Sequence, residues 1–332
     1  MKVVCRLPAT LVPLVLLGCA VGDDWVVEEL PTRAEYESIA FLDPDRGFIV
    51  GGSYFIEGGI VGTTTDGGRS WEFDSGFVRA KAGFRLTDIV FLDRFTGVMC
   101  GSHGVILRTV DRGQHWHVVW RRSGSFNHLL DLFFLDDGQH GWAVGHSGFL
   151  ATADGGLSWG SAVSDRDVGG SSVHFIDLER GFVAGKFGRI FATEDGGESW
   201  AVVTTSIGTG NPDLLGITFV GPNLGWAVGE NGAILHSTDG GRRWERQTSG
   251  VRSRLCAVSF VDPLRGWAVG HDRADSSSVI LRTTDGGDHW TVDQRVDGEL
   301  LQTLTFLDAS HGWAVGERVG HGAQRLLRFN PR

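Results

Sequence analysis

Thr193-Glu194-Asp195-Gly196-Gly197-Glu198-Ser199-Trp200 is a motif, T/S-x-D-x-G-x-x-W. The same pattern stands at Thr64/Asp66/Gly68/Trp71, Thr109/Asp111/Gly113/Trp116 and Thr152/Asp154/Gly156/Trp159. It returns at Ser237/Asp239/Gly241/Trp244 and Thr283/Asp285/Gly287/Trp290. Successive aspartates are 45, 43, 41, 44 and 46 residues apart. A repeat of that length is a supersecondary unit that buries its apolar face only against its neighbours. A second pattern, roughly F-[LIV]-D-x(3)-G-[WF]-x-V-G, begins at Phe41, Phe91, Phe134, Phe175, Phe219, Phe260 and Phe306. The Phe219 copy has Gly221 for Asp, and the Phe91 copy has Val98 and Cys100 in place of the aromatic and the valine.

Each unit reads as four short strands. The first ends in the F-L-D run, the second is G-W-A-V-G, and the third is apolar, as in Ala233-Ile234-Leu235-His236. The fourth starts at the motif Trp. Apolar runs bounded by Gly and Asp turns are the hairpin signal, and helix-period stretches are nearly absent. Four strands in about 41–50 residues is the size of a propeller blade. The seventh unit stops after Leu326-Leu327-Arg328-Phe329, a third strand, while Trp25-Val26-Val27-Glu28-Glu29-Leu30 reads as an isolated fourth strand. Sharing one blade between them closes the ring and pairs edges otherwise left open. The expectation is an all-β, seven-bladed propeller over 25–332.

The repeated carboxylates read as structural. An Asp in a tight turn accepts backbone N–H bonds, Gly supplies positive φ, and the Trp buries its ring between blades. A group present six times (Asp66, Asp111, Asp154, Asp195, Asp239, Asp285) is not one active site. The same holds for Asp43, Asp93, Asp136, Asp177, Asp262 and Asp308 in the second pattern.

These motifs are the Asp-box, or bacterial neuraminidase repeat. With the G-W-A-V-G strands and seven units, nearly the whole chain after residue 24 resembles the photosystem II stability/assembly factor family. The resemblance implies a non-catalytic scaffold that binds a membrane-protein partner through an arginine patch. Sialidases also use Asp-box propellers, with a Tyr nucleophile and an Arg triad. The only tyrosines are Tyr36 and Tyr54. A glycan-binding module without chemistry is the third reading, with Trp120 and Phe126 as candidate stacking rings.

Composition narrows the field. Glycine is 50 of 332 residues, about 15% against a usual ~7%, yet prolines number 8 and no three-residue period exists, which excludes collagen. The net charge of −10 argues against a nucleic-acid partner. No cofactor or metal motif stands out; His103, His146 and His271 follow second strands, on units that are not all neighbours.

The N-terminus reads as an address. Residues 1–18 carry Lys2 and Arg6, then a short apolar run from Leu11 to Leu17. Leu16-Leu17-Gly18-Cys19 resembles the bacterial lipoprotein cleavage box, which makes 1–18 a signal peptide, Cys19 the lipidated residue and 19–24 a tether. Removal of Lys2 and Arg6 takes the net charge to −12. Of four cysteines, Cys5 leaves with the signal and Cys19 takes the lipid, so Cys100 and Cys256 read as buried free thiols rather than a disulfide framework. The expected location is a membrane surface on the periplasmic or extracellular side.

Strand order puts the Asp-box turns and the D-x(3)-G turns on one face. The opposite face holds the loops from each fourth strand to the next first strand, and from second to third strands. These loops vary, as functional loops on a rigid scaffold do. They carry Arg79, Arg85, Arg121, Arg122, Arg252 and Arg254, the residues expected to bind a carboxylate or acidic peptide of an envelope or membrane protein. Six Cα steps from Cys19 to Trp25 reach about 20 Å, so a lipid there holds the Asp-box face toward the membrane.

Overall fold

The computed structural model describes residues 24–32, 34–52, 58–74, 84–121, 128–146, 148–161, 168–203, 205, 212–320 and 323–331. They form seven four-stranded antiparallel sheets. The first strands of blades 1 to 6 are Glu35–Phe41, Leu86–Phe91, Leu129–Phe134, Ser172–Phe175, Leu214–Val220 and Arg254–Phe260. Blade 7 runs Glu299–Asp308, His311–Arg318, Gln324–Phe329, and its outermost strand is Trp25–Leu30, paired from Trp25 opposite Phe329 to Leu30 opposite Gln324. The first strands touch their neighbours all the way round, blade 7 closing on blade 1. The seven blades and the closure by the N-terminal strand are as the repeat arithmetic predicts.

No single core exists. Seven apolar clusters lie one at each blade-to-blade interface. Their centre is an aromatic stack. The second-strand ring of one blade lies on the first-strand Phe of the next: Trp313 on Phe41 at 3.5 Å, Trp142 on Phe175 at 3.5 Å, Trp226 on Phe260 at 3.6 Å and Trp267 on Phe306 at 3.8 Å. Phe48 on Phe91 and Phe182 on Phe219 repeat the contact at 4.5 and 4.8 Å. Blade 2 has Val98 at this position, and there the stack is absent.

The last glycine of G-W-A-V-G follows from a bulge. In six blades the first strand carries one extra residue near its start, such as Thr87 in blade 2 and Cys256 in blade 6. The bulge pushes a carbonyl against the second strand. A Cβ on Gly101 would sit 2.3 Å from the Arg85 carbonyl oxygen, and one on Gly270 would sit 2.0 Å from that of Arg254. Only hydrogen fits there.

The Asp-box at Asp195 shows the turn's logic. Thr193 Oγ1 donates to Asp195 Oδ1 (2.7 Å) and accepts from the Gly197 N–H (2.9 Å). Asp195 also accepts from the Ser199 N–H and hydroxyl, and Trp200 Nε1 donates to the Gly197 carbonyl. The Ser199 hydroxyl, then its N–H, hold the Asp195 carboxyl down to about 2. The equivalents Asp66, Asp111, Asp154 and Asp285 are likewise held at about 2, and Asp239 is lowered.

One aspartate is corrected. In the D-x(3)-G turns, Asp93, Asp177, Asp262 and Asp308 each accept the N–H groups two and three residues on. In blade 3 that role belongs to Asp137, not Asp136. The turn there has one extra residue, with Gly138 at φ 63°, which moves the capping position by one.

Candidate partner-binding face

The loops opposite the Asp-boxes surround one end of a central channel. The channel has a volume of about 520 Å3 and is lined by the first strands of all seven blades. At this mouth stand Glu37, His146 and Arg254.

Three of the second-to-third-strand turns share one shape. Ser102–Gly104, Lys186–Gly188 and Glu230–Gly232 are single 3-10 turns whose central residue is left-handed: His103 at φ 61°, Phe187 at 58° and Asn231 at 57°. That region disfavours side chains larger than glycine, and Asn tolerates it best. Phe187 is 64% exposed although apolar, and its N–H is held by Asp213 Oδ1 at 2.8 Å. A strained, exposed aromatic on a rigid turn points toward a contact surface.

Beside it runs a histidine row. His128 lies between His103 and His146, with ring centroids 5.8 and 6.2 Å away. Burial lowers the His146 pKa first, and the charges of Lys186 and His128 add to the effect. His271 is elsewhere, buried behind blade 6, with Nδ1 3.2 Å from the Leu301 carbonyl and 3.6 Å from Cys256 Sγ. The three histidines picked from sequence therefore do not ring the mouth together. Among the described residues no group of three His, Cys, Asp or Glu side chains is placed to hold a metal ion.

The arginines fall into two places. Arg85 is ion-paired with Glu35 at 2.6 Å and with Glu37. Arg121 lies over the Phe84 ring, with its guanidinium carbon 5.4 Å from the centroid. Across the ring, Arg252 is exposed and Arg254 pairs with Glu230 at 3.0 Å. Arg79, Arg122 and Cys19 lie outside the described residues, as do Tyr54 and Phe126.

Two expectations for sugar chemistry change. Tyr36 is fully buried, with its hydroxyl bonded to Thr32 Oγ1, and burial drives its pKa upward. It is not presented to a substrate. Trp120 is half-buried against the blade 2–blade 3 cluster rather than free to stack. Both remaining cysteines are free, but Cys256 lines the channel instead of the core.

Within the channel two carboxyls meet. Asp88 accepts from Ser38 Oγ at 2.6 Å and from the Leu132 N–H at 2.8 Å; Asp131 accepts from the Val173 N–H at 2.7 Å. The two lie close enough for the charge of one to act on the other. Burial, then the neighbouring charge of Asp88, pushes Asp131 well above the usual carboxylate range. This pair ties blades 1 to 4 together around the channel. Sequence reading missed it because Asp88 and Asp131 lie in strands whose repeat equivalents are Ser38, Ser172, Gly216, Ala257 and Thr303. Two acids at one repeat position were the available signal.

Residues 19–124, 122–207, 167–252 and 205–294 match the family model described as photosynthesis system II assembly factor YCF48. A curated relative, the photosystem II assembly lipoprotein Ycf48 of Synechococcus sp. (strain CC9902), is 28% identical over 193 residues. That match spans 55% of this chain and 54% of the relative, about half of its length. A solved structure of YCF48 bound to a D1 peptide has 20% identity, covers 92% of this chain and 97% of that one, and superposes with a TM-score of 0.73. YCF48 from Cyanidioschyzon merolae has 19% identity, coverage of 93% and 99%, and a TM-score of 0.69. The two structures share the fold, and the family model, which matches the chain from Cys19 into the sixth blade, carries the assignment further: this chain belongs to the photosynthesis system II assembly factor YCF48 family.

Proposed function

We propose that the protein is a lipid-anchored, non-catalytic assembly factor that holds a peptide segment of a membrane-protein partner on its variable-loop face. One observation carries this reading. Around a single channel mouth, a repetitive scaffold gathers side chains that do not repeat: the His103–His128–His146 row, exposed Phe187, and the basic residues Arg121, Arg252 and Arg254. An aromatic anchor beside cations suits a peptide with an apolar residue near a carboxylate. Arg79 and Arg122 belong to the same loops and to the same proposal, as does Arg85 once a partner competes for its glutamates. The relatives support a protein partner: one YCF48 is bound to a D1 peptide, and the Synechococcus protein is a photosystem II assembly lipoprotein. In this reading residues 1–18 are removed, Cys19 carries the lipid on the periplasmic or extracellular side, and 25–332 is the propeller.

The test is a titration with a D1 peptide. Arg121→Glu/Arg252→Glu should weaken binding at least tenfold, roughly 1.4 kcal/mol. Arg265→Glu, on the Asp-box face and paired with Asp262, should leave it unchanged. Equal binding by parent and double variant would remove the arginines from the site. No peptide binding, with retention on immobilised glycans, would move the face to carbohydrate recognition.

A further inference from the structure

Five of the six Asp-boxes place glycine directly after the aspartate, at Gly67, Gly155, Gly196, Gly240 and Gly286. All five are left-handed, with φ between 67° and 75°. The blade 2 box has Arg112 there instead, at φ 65°. A residue with a Cβ is disfavoured in that region. The turn itself asks only for backbone: the Arg112 N–H meets the Phe95 carbonyl at 2.9 Å, as the Gly196 N–H meets that of Glu179 at 2.8 Å. Glycine would serve as well, so the turn does not account for the arginine. Strain of this kind, held in a rigid scaffold, is a pointer to function.

The side chain lies against an exposed ring. The Arg112 guanidinium carbon is 4.5 Å from the Phe95 ring centroid, and that of Arg94 is 4.9 Å from it. Phe95 is 38% exposed, and Val110, two residues before Arg112, is 59% exposed. Phe95 stands where the equivalent turns have Asp45, Glu179, Asn223, Leu264 and Ser310, so the ring too is particular to this blade. The carboxylates beside the cluster are already used. Asp93 accepts from the Phe95 and Thr96 N–H groups; Asp111 accepts from Thr109 Oγ1 and the His115 N–H, and its second oxygen meets the His115 ring. Arg180 and Arg265 stand three residues after their aspartates and pair with them, whereas Arg94 stands one residue after Asp93. Among the described residues neither Arg94 nor Arg112 pairs with a carboxylate.

We propose that Arg94, Phe95, Val110 and Arg112 form a second docking site, on the Asp-box face, for a protein segment that carries a carboxylate on either side of an apolar residue. Charge complementarity selects this occupant. Two guanidiniums without carboxylate partners take the acidic groups, while the ring and Val110 take the apolar side chain. The turn carboxylates around the cluster repel an extended polyanion such as a nucleic acid or an anionic bilayer, but not a short segment whose charges fall on the arginines. The site does not depend on the peptide site proposed for the opposite face.

The probe is a short labelled peptide with a central Glu-Leu-Glu, and its control has Lys-Leu-Lys. Anisotropy is followed at low salt in the full chain carrying Arg121→Glu/Arg252→Glu, so that the opposite face does not contribute. The acidic peptide should bind at least tenfold tighter than the basic one. Arg112→Gly should weaken that binding at least fivefold while the denaturant midpoint holds or rises, because the left-handed position then carries glycine as in the other boxes. Arg94→Gln and Phe95→Ala should each weaken it at least threefold. No preference between the peptides, or unchanged binding in Arg112→Gly, overturns the proposal. So does a fall in the Arg112→Gly midpoint, which would make the arginine part of the turn. Equal competition by a DNA oligomer or by vesicles of anionic lipid also overturns it, since the cluster would then be a general anion surface.

Discussion

Asp131 is raised because of where its neighbours are. It faces Asp88 across the channel wall, and both are enclosed by the ring of blades. Its carboxyl is raised in the fold above its unfolded value, so the folded chain holds more protons from about pH 4 upward. Stability from this group is therefore present at low pH and lost as pH rises toward the raised value, by up to about 1.4 kcal/mol per pH unit. Asp88 is raised in the same direction, as is buried Glu299, which burial takes to about 8 against the pull of Arg325 and Arg318. His174 opposes them: burial holds it near 3, so its share of stability is lost as pH falls below the ordinary imidazole range. Asp131→Asn keeps an oxygen for the Val173 N–H and does not titrate. Its urea midpoint should exceed the parent's at pH 8 and the gap should close by pH 5. A gap that does not change with pH would show that the Asp131 carboxyl is not raised.

The box is an element that stabilises a turn through side chains the reader of a sequence can see. Thr, Asp, Gly and Trp recur at fixed spacing because each makes the same bond in each copy, and six copies average out local accidents. That is why blade number, strand order and ring closure were legible. The turn beside it was misread once, at Asp136: Phe134 to Gly141 is one residue longer than its equivalents, and left-handed Gly138 takes up the extra residue. The energetic expectation is direct. Asp195→Ala removes three hydrogen bonds of an exposed turn and should cost about 1–2 kcal/mol by denaturant unfolding. Asp137→Ala should cost about 1 kcal/mol, whereas Asp136→Ala should stay within about 0.5 kcal/mol of the parent. The reverse order for Asp136 and Asp137 would overturn the reassignment. The variable face was less legible for the converse reason. Phe187 and His128 are single choices at variable positions (His103 and Asn231 stand where Phe187 does), so the repeat does not mark them, and the pairing of Arg85 or Arg254 depends on glutamates from other segments.

At the scale of the molecule, the repeated turns concentrate carboxylates at one end of the propeller axis. The Asp-boxes and the adjacent turns fix a ring of carboxylates on one face, most held well below the ordinary range by their own turn N–H groups. Of the arginines in the same turns, Arg180 and Arg265 pair with their own aspartates. Arg121, Lys186, Arg252 and Arg254 stand on the other face. The first strand enters the fold at the carboxylate face, through Asp24 and Trp25. A lipid on Cys19 would therefore hold the acidic face, rather than the basic one, toward the bilayer. Anionic headgroups repel that face, and no helix of the described residues is long and apolar enough to cross the bilayer, so the acyl chains would have to supply the attachment. The Cys19→Ser chain, with residues 1–18 removed, should show no binding to vesicles containing anionic lipid at low salt, and the lipidated chain should remain attached at high salt. Salt-sensitive binding of the serine variant to those vesicles would mean that the basic face meets the membrane, and the peptide site would then have to lie elsewhere.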